Sequence, residues 1–317
     1  MRVKVVLLRI AVAVAAVLTA CAPDDSAPAK SPEPPPSAPA GQDRLGVIQS
    51  LRNVDPCALY GDASAVAGQP LTVEGHSMPL SCDAHTVDGD REVEVNIGVN
   101  VATVPPVETP AWAERLDIDG VDVAVTSALE APDAPPRDDV VSWTCGVLAA
   151  YSDSTRLIVH ASAPPEADAC AVGEDVMRTA IREFAERPGW GSTDFPTTVL
   201  TGADPCAAPE RLRSTQRVDI DVASSSVSTC AFTLDNSDMV TTSSTYLRPE
   251  HLDYSTDHFD IGGHRVAGDA ASGVFDVVVG PEFQVAGERL VPTMNIVDLS
   301  LDMNRIRTVA RAIAEQY

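Results

Sequence analysis

Asp55-Pro56-Cys57, followed by Cys82, is echoed by Asp204-Pro205-Cys206, followed by Cys230, and this echo decides how the fold is read. The paired cysteines are 25 residues apart in the first case and 24 in the second. Two further matches follow in the same order: Leu116-Asp117-Ile118-Asp119-Gly120 corresponds to Phe259-Asp260-Ile261-Gly262-Gly263, and Met177-Arg178-Thr179-Ala180-Ile181 to Ile306-Arg307-Thr308-Val309-Ala310. Agreement in order along both segments indicates a duplication, with copies over residues 45–190 and 195–317, each within the usual size of a domain. Pro188-Gly189-Trp190-Gly191-Ser192 is the seam expected between them.

The motif has a mechanical meaning. An aspartate accepts the free amide protons at a helix start, and a proline suits the first helical position because its missing donor would be unpaired there anyway. Asp55 and Asp204 are therefore expected to cap short helices running through Leu59-Tyr60 and Leu212. Downstream, Val93, Val95, Ile97 and Val99 alternate with Glu94 and Asn96, the period of a half-buried strand. Val121–Val125, Val140–Tyr151 and Leu157–Val159 continue the strand pattern in the first copy, as do Val227–Leu234, Val274–Val279 and Met294–Leu301 in the second. Helices are expected over Val172–Arg187 and Met303–Tyr317. A short opening helix, several strands and a closing helix predict an α+β fold of two tandem domains, each an antiparallel sheet with helices on one face.

The N-terminus bears on location. Arg2, Lys4 and Arg9 precede a short apolar run, Ile10–Leu18, which ends in Leu18-Thr19-Ala20-Cys21. This is a signal-peptide pattern over residues 1–20, and the run is about half of the roughly 20 residues a spanning helix needs. Leu18, three before a cysteine, resembles a lipobox; the resemblance to bacterial lipoprotein signals implies cleavage before Cys21, acylation of its thiol and attachment to a membrane on the extracytoplasmic side. An ordinary cleavage site of the Ala-x-Ala type is the alternative. Residues 21–44 are rich in Ala, Pro and Ser, with Pro34-Pro35-Pro36 at the centre, and read as a disordered tether reaching about 60 Å.

Cys21 is the odd one of seven cysteines. The other six, in an exported chain, predict disulfides. The second copy lacks counterparts of Cys145 and Cys170, and a pair absent together is expected to bond together. The pairing predicted is Cys57–Cys82, Cys145–Cys170 and Cys206–Cys230, each loop contributing on the order of 3 kcal/mol in the chain-entropy model.

The chain carries a formal charge of −24, which becomes −27 once residues 1–20 and their three basic side chains are removed. Nucleic acid is therefore a poor partner and none is expected, because binding a polyanion requires clustered Lys and Arg. There is no Cys-x-x-Cys, no zinc spacing, no Asp-x-Asp-x-Asp-Gly loop, no Gly-x-Ser-x-Gly and no phosphate-binding glycine loop, so no cofactor, metal or catalytic residue is expected. His251 and His258, flanked by Asp253 and Asp257, read as an exposed polar loop between Pro249 and Gly262-Gly263. Trp112, after Pro110, is the candidate ligand anchor, with pinning of its loop to the sheet as the alternative.

The lipobox, the Asp-Pro-Cys opening and the order of elements together resemble an actinobacterial lipoprotein family of unknown function. The first copy is more distantly similar to the extracellular sensor domains of mycobacterial receptor serine/threonine kinases. The resemblance implies no reaction and no catalytic residues. The expected function is that of a lipid-anchored cell-envelope protein, non-catalytic, binding an extracytoplasmic small molecule or protein partner. The alternatives are an envelope hydrolase whose groups converge only in three dimensions, and a structural envelope interaction protein.

Overall fold

Buried and more exposed residues alternate along the stretch Val93–Thr103, the period of a strand with one face on a core. The computed structural model describes residues 44–88, 93–103, 109–235 and 238–317, the side chain of Asp88 excepted. Cys21, the expected signal peptide and the expected tether as far as residue 43 lie outside them. The described residues belong to one compact unit. Among them, no helix is long and apolar enough to cross a membrane.

The chain begins with α1 (Arg44–Leu51) and a 3-10 turn at Pro56–Tyr60. Strands β1 (Ala65–Val66), β2 (Gln69–Met78), β3 (Ser81–Asp88), β4 (Val93–Thr103), β5 (Glu114–Ile118), β6 (Val121–Ser127), β7 (Trp143–Ala150) and β8 (Thr155–Ala163) follow, then α2 (Ala169–Ala185). After a connecting stretch come α3 (Ala207–Leu212), β9 (Val218–Ile220), β10 (Thr229–Leu234), β11 (Met239–Leu247) and α4 (Pro249–Asp253). The remainder is β12 (Asp257–Ile261), β13 (His264–Asp269), β14 (Val274–Val278), β15 (Phe283–Val285), β16 (Glu288–Asp298) and α5 (Met303–Ala314).

These strands form two antiparallel sheets. The first runs β1-β2-β3-β4-β8-β7-β6-β5; the second runs β9-β10-β11-β16-β14-β13-β12, with β15 beside β16. Apart from β1 and β15, the two orders coincide when β2 is set against β9 and each later strand against its successor. Each sheet has its own buried core.

The helices cover one face of each sheet because their apolar residues recur at helical spacing. In α2 the buried stripe is Ala169, Val172, Gly173, Val176, Met177, Ala180, Ile181 and Phe184; in α5 it includes Ile306, Val309, Ala310 and Ile313. Spacings of three and four place such residues on one face. Gly173 sets how closely α2 approaches the sheet, since a Cβ there would lie 3.1 Å from Val147 Cγ2 and 3.6 Å from Ala161 Cβ. Asp168 and Asp302 cap α2 and α5, accepting bonds from Ala171 N and from Asn304 N and Arg305 N.

All three expected disulfides are present, Cys57–Cys82, Cys145–Cys170 and Cys206–Cys230. Cys145–Cys170 ties the start of β7 to the first turn of α2. Where the second sheet lacks that bridge, an ion pair ties the end of β16 to the first turn of α5: Arg305 Nε and Nη2 each lie 2.6 Å from the fully buried carboxylate of Asp298. Burial pushes the Asp298 carboxyl up, but the bonds from Arg305 and Ser300 outweigh it and hold it below the usual carboxylate value.

Several elements depart from the sequence reading. The expected strand at Val140 begins only at Trp143, and Val141 is 91% exposed. The polar stretch at His251–Asp260 is not a loop. It forms α4, whose Leu252 packs on Ala267 and Val291, and the edge strand β12. The seam at Pro188–Ser192 is bound to the first half: Gly189 bridges to Val54, and Pro188 O accepts from Asp55 N at 2.8 Å.

Candidate functional site

The two Asp-Pro-Cys motifs sit at the junction of the halves, and each aspartate does more than start a helix. Asp55 caps the 3-10 turn, its Oδ1 accepting Cys57 N at 2.9 Å. That same oxygen lies 3.0 Å from His76 Nε2, and Oδ2 accepts Thr193 Oγ1 at 2.8 Å. Asp204 Oδ1 likewise accepts Cys206 N, at 2.7 Å, and pairs with Arg52 Nη1 at 2.8 Å. However, α3 starts at Ala207 with Cys206 in the cap position, so Asp204 closes the turn that leads into the helix rather than capping it. Pro205 and Cys206 form a turn ahead of α3, whereas Pro56 opens the 3-10 turn directly.

The environment of Asp55 is dry. Asp55 is 1% exposed and His76 4%. The imidazole lies 4.9 Å from the Trp190 ring and 6.0 Å from the edge of Phe195, centroid to centroid. Burial raises the Asp55 carboxyl, yet the bonds from His76 and Thr193 more than offset this and hold it below the ordinary value. Arg52 is 4% exposed, donates through Nε to Val227 O, and accepts the Trp190 indole N–H on its own carbonyl at 2.7 Å. Burial lowers its guanidinium, with Asp204 opposing.

A carboxylate, an imidazole and a hydroxyl therefore meet at Asp55, His76 and Thr193. Nucleophilic catalysis needs the imidazole in the middle, taking a proton from the hydroxyl while the carboxylate orients it. Here the carboxylate is in the middle and the hydroxyl donates to it. The chemistry of this arrangement is that of a lock fastening residues 188–195 to the first sheet.

Concave surface lies elsewhere. A cleft of about 470 Å³ opens beside the Cys145–Cys170 bridge, lined by Ser127, Leu129, Glu130, Pro135, Arg137, Trp143, Glu166, Asp168 and Cys170. Its wall is braced: Trp143 Nε1 donates to Pro164 O at 3.2 Å, Arg137 Nε to Pro165 O at 2.6 Å, and the guanidinium stacks 5.6 Å above the indole. A second cleft, about 450 Å³, lies at edge strand β12 among Asp253, His258, Phe259, Asp260 and Arg265, with Arg265 and Asp253 paired at 2.8 Å. A third, about 300 Å³, lies between α3 and α5.

The sheet face opposite α2 is polar. A register line crosses it through Asp83, Gly98, His160, Gly146 and Thr126. The carboxyl of Asp83 is raised, chiefly by burial, with a hydrogen bond from Ser77 opposing and the charges of Glu74 and Glu288 adding to the rise.

Trp112, the anchor expected from sequence, is half-buried in the turn before β5 and lines none of the three clefts. The tryptophans with evident contacts are Trp143 at the cleft and Trp190 on His76. The sequence marked Trp190 only as part of the seam and as one of three tryptophans open to recognition, and it gave His76 no role, because their partners come from distant segments. No family model, curated protein or solved structure matches this chain.

Proposed function

We propose that this is a lipid-anchored envelope protein, held through Cys21 on the extracytoplasmic side of a membrane, whose two related α+β domains present a non-catalytic ligand- or partner-binding surface. The boundaries proposed are residues 45–190 and 195–317. The matching strand order of the two sheets supports a duplication, and three disulfides suit an oxidising compartment. The resemblance to an actinobacterial lipoprotein family and to receptor-kinase sensor domains belongs to the same proposal.

The observation that carries the binding reading is the cleft at Cys145–Cys170. Its volume, about 470 Å³, falls in the range of small-ligand sites, and its indole wall, guanidinium and carboxylates offer both apolar contact and orientation. A disulfide and three backbone-directed hydrogen bonds hold that wall in place, which lowers the ordering cost on binding.

Two measurements test this. A Cys21→Ser variant should leave the membrane fraction; continued retention would contradict the anchor. Native mass spectrometry of the exported form should show a bound species that is lost in Arg137→Ala. No bound species, or one indifferent to that substitution, would contradict the cleft.

A further inference from the structure

The lock at Asp55 has a second property. One oxygen of Asp55, the sulfur of Cys57 and one ring nitrogen of His76 all lie within 4.8 Å of one another, and all three residues are buried. A fourth donor is adjacent, because Cys82, 0% exposed, is bonded to Cys57. We infer that the chain with Cys57–Cys82 reduced holds one thiophilic divalent cation of the zinc type, with Cys57, Cys82, His76 and Asp55 as its ligands.

Zinc takes four such donors in a tetrahedron, with bonds of about 2.0–2.3 Å and hence donors about 3.3–3.8 Å apart. The 3.0 Å between His76 Nε2 and Asp55 Oδ1 needs only slight opening to admit an ion. Donor chemistry also fits, since thiolate and imidazole together select zinc over calcium or magnesium. The outer contacts needed to aim the carboxylate exist: Thr193 Oγ1 holds Asp55 Oδ2, and Cys57 N holds Oδ1. Trp190 and Phe195 close the site around the imidazole. Sequence spacing cannot reveal it, because the four ligands fall at 55, 57, 76 and 82 with no repeat of a known zinc template.

In the oxidised chain both sulfurs are committed to each other. A dithiol reductant opens the bridge by exchange: its two sulfurs join as a disulfide, and the protein sulfurs take up the two electrons and its two protons. Binding the cation then displaces those two protons from the thiols. A disulfide oxidant reverses the sequence, re-forming Cys57–Cys82 and expelling the ion, so that metal and bridge are alternative occupants.

The second motif supplies an internal contrast. Asp204 stands before Cys206 as Asp55 does before Cys57, but its Oδ1 faces the Arg52 guanidinium rather than an imidazole. A fixed cation in place of a donor makes that pair unfit for metal.

The test titrates Co²⁺, then Zn²⁺, into the dithiol-reduced full chain and reads thiolate-to-cobalt absorption and protection against thermal unfolding. The parent and Cys206→Ser/Cys230→Ser should each bind one equivalent, with Zn²⁺ displacing Co²⁺. Disturbing an outer contact typically weakens a site about 10–100-fold, so losing a ligand in His76→Gln should weaken it at least about 100-fold. Cys57→Ser/Cys82→Ser should lose it altogether. Near-ultraviolet dichroism of each oxidised variant establishes that it folds; if His76→Gln does not, Asp55→Asn is read in its place. No metal binding by the reduced parent, or equal binding by Cys57→Ser/Cys82→Ser, would overturn the inference.

Discussion

Replacing Arg52 with methionine should destabilise the protein by about 2–4 kcal/mol. The methionine keeps most of the packing of the aliphatic stem, so the loss is polar. Two bonds disappear, from Nη1 to Asp204 Oδ1 at 2.8 Å and from Nε to Val227 O at 3.2 Å. Val227 is 2% exposed, and leaving a buried carbonyl without its donor costs about 1–3 kcal/mol. The ion pair adds less, about 1 kcal/mol, because Asp204 is 38% exposed and water replaces the guanidinium. The remaining Asp204 carboxylate still accepts Cys206 N, so the turn into α3 should survive. Urea unfolding of the oxidised chain, followed by tryptophan fluorescence and far-ultraviolet dichroism together, measures this. Adding Asp204→Asn to Arg52→Met should bring little further loss, with a coupling near 1 kcal/mol. If Arg52→Met lies within about 0.5 kcal/mol of the parent, the junction is not held by this side chain and the reasoning fails.

Two further outcomes follow from packing and charge. Because the folded-state Asp298 carboxyl lies below its unfolded value, its contribution is complete above about pH 4 and is lost as the pH falls through the lower, folded value; Asp298→Asn should flatten that acid limb of the stability–pH profile, measured by urea unfolding between pH 2 and 6, and an unchanged limb would refute the assignment. Gly173→Val should destabilise by about 1–3 kcal/mol, as its side chain meets Val147 and Ala161 where α2 lies closest to the sheet; thermal unfolding near the parental temperature would show that the helix can retreat without loss.

The framework was legible in the sequence because its signals are local or repeated. Two-residue alternation at Val93–Val99 marked β4, the three- and four-residue spacing of Met177, Ala180 and Phe184 marked α2, and the shared loss of Cys145 and Cys170 from the second half identified their partnership. The short elements were not legible. Helix α1 was hidden at the end of the Pro/Ala/Ser segment, and α4 lay among Asp and His residues whose polarity resembles a loop; only Leu252, buried on Ala267 and Val291, explains why the chain turns into a helix there. The junction was invisible for a different reason. Asp55 gathers His76 and Thr193, and Arg52 gathers Asp204, Val227 and Trp190, from segments 21 to 175 residues away. No window along the sequence contains those contacts. Trp112 was singled out for its size and flanking prolines, yet the indole that lines a cleft is Trp143, placed there by the inward register of β7.

The proposal that this protein binds through the cleft beside Cys145–Cys170 is tested most directly by placing a photo-crosslinking residue at Glu130 in the full chain, in living cells, with Tyr254 as the control position. Glu130 lines the cleft, whereas Tyr254 is 82% exposed at the end of α4 and lines none of the three clefts. A discrete adduct from position 130, absent at 254 and abolished by Arg137→Ala, is the predicted result. Equal labelling at both positions, or none at 130, would contradict it.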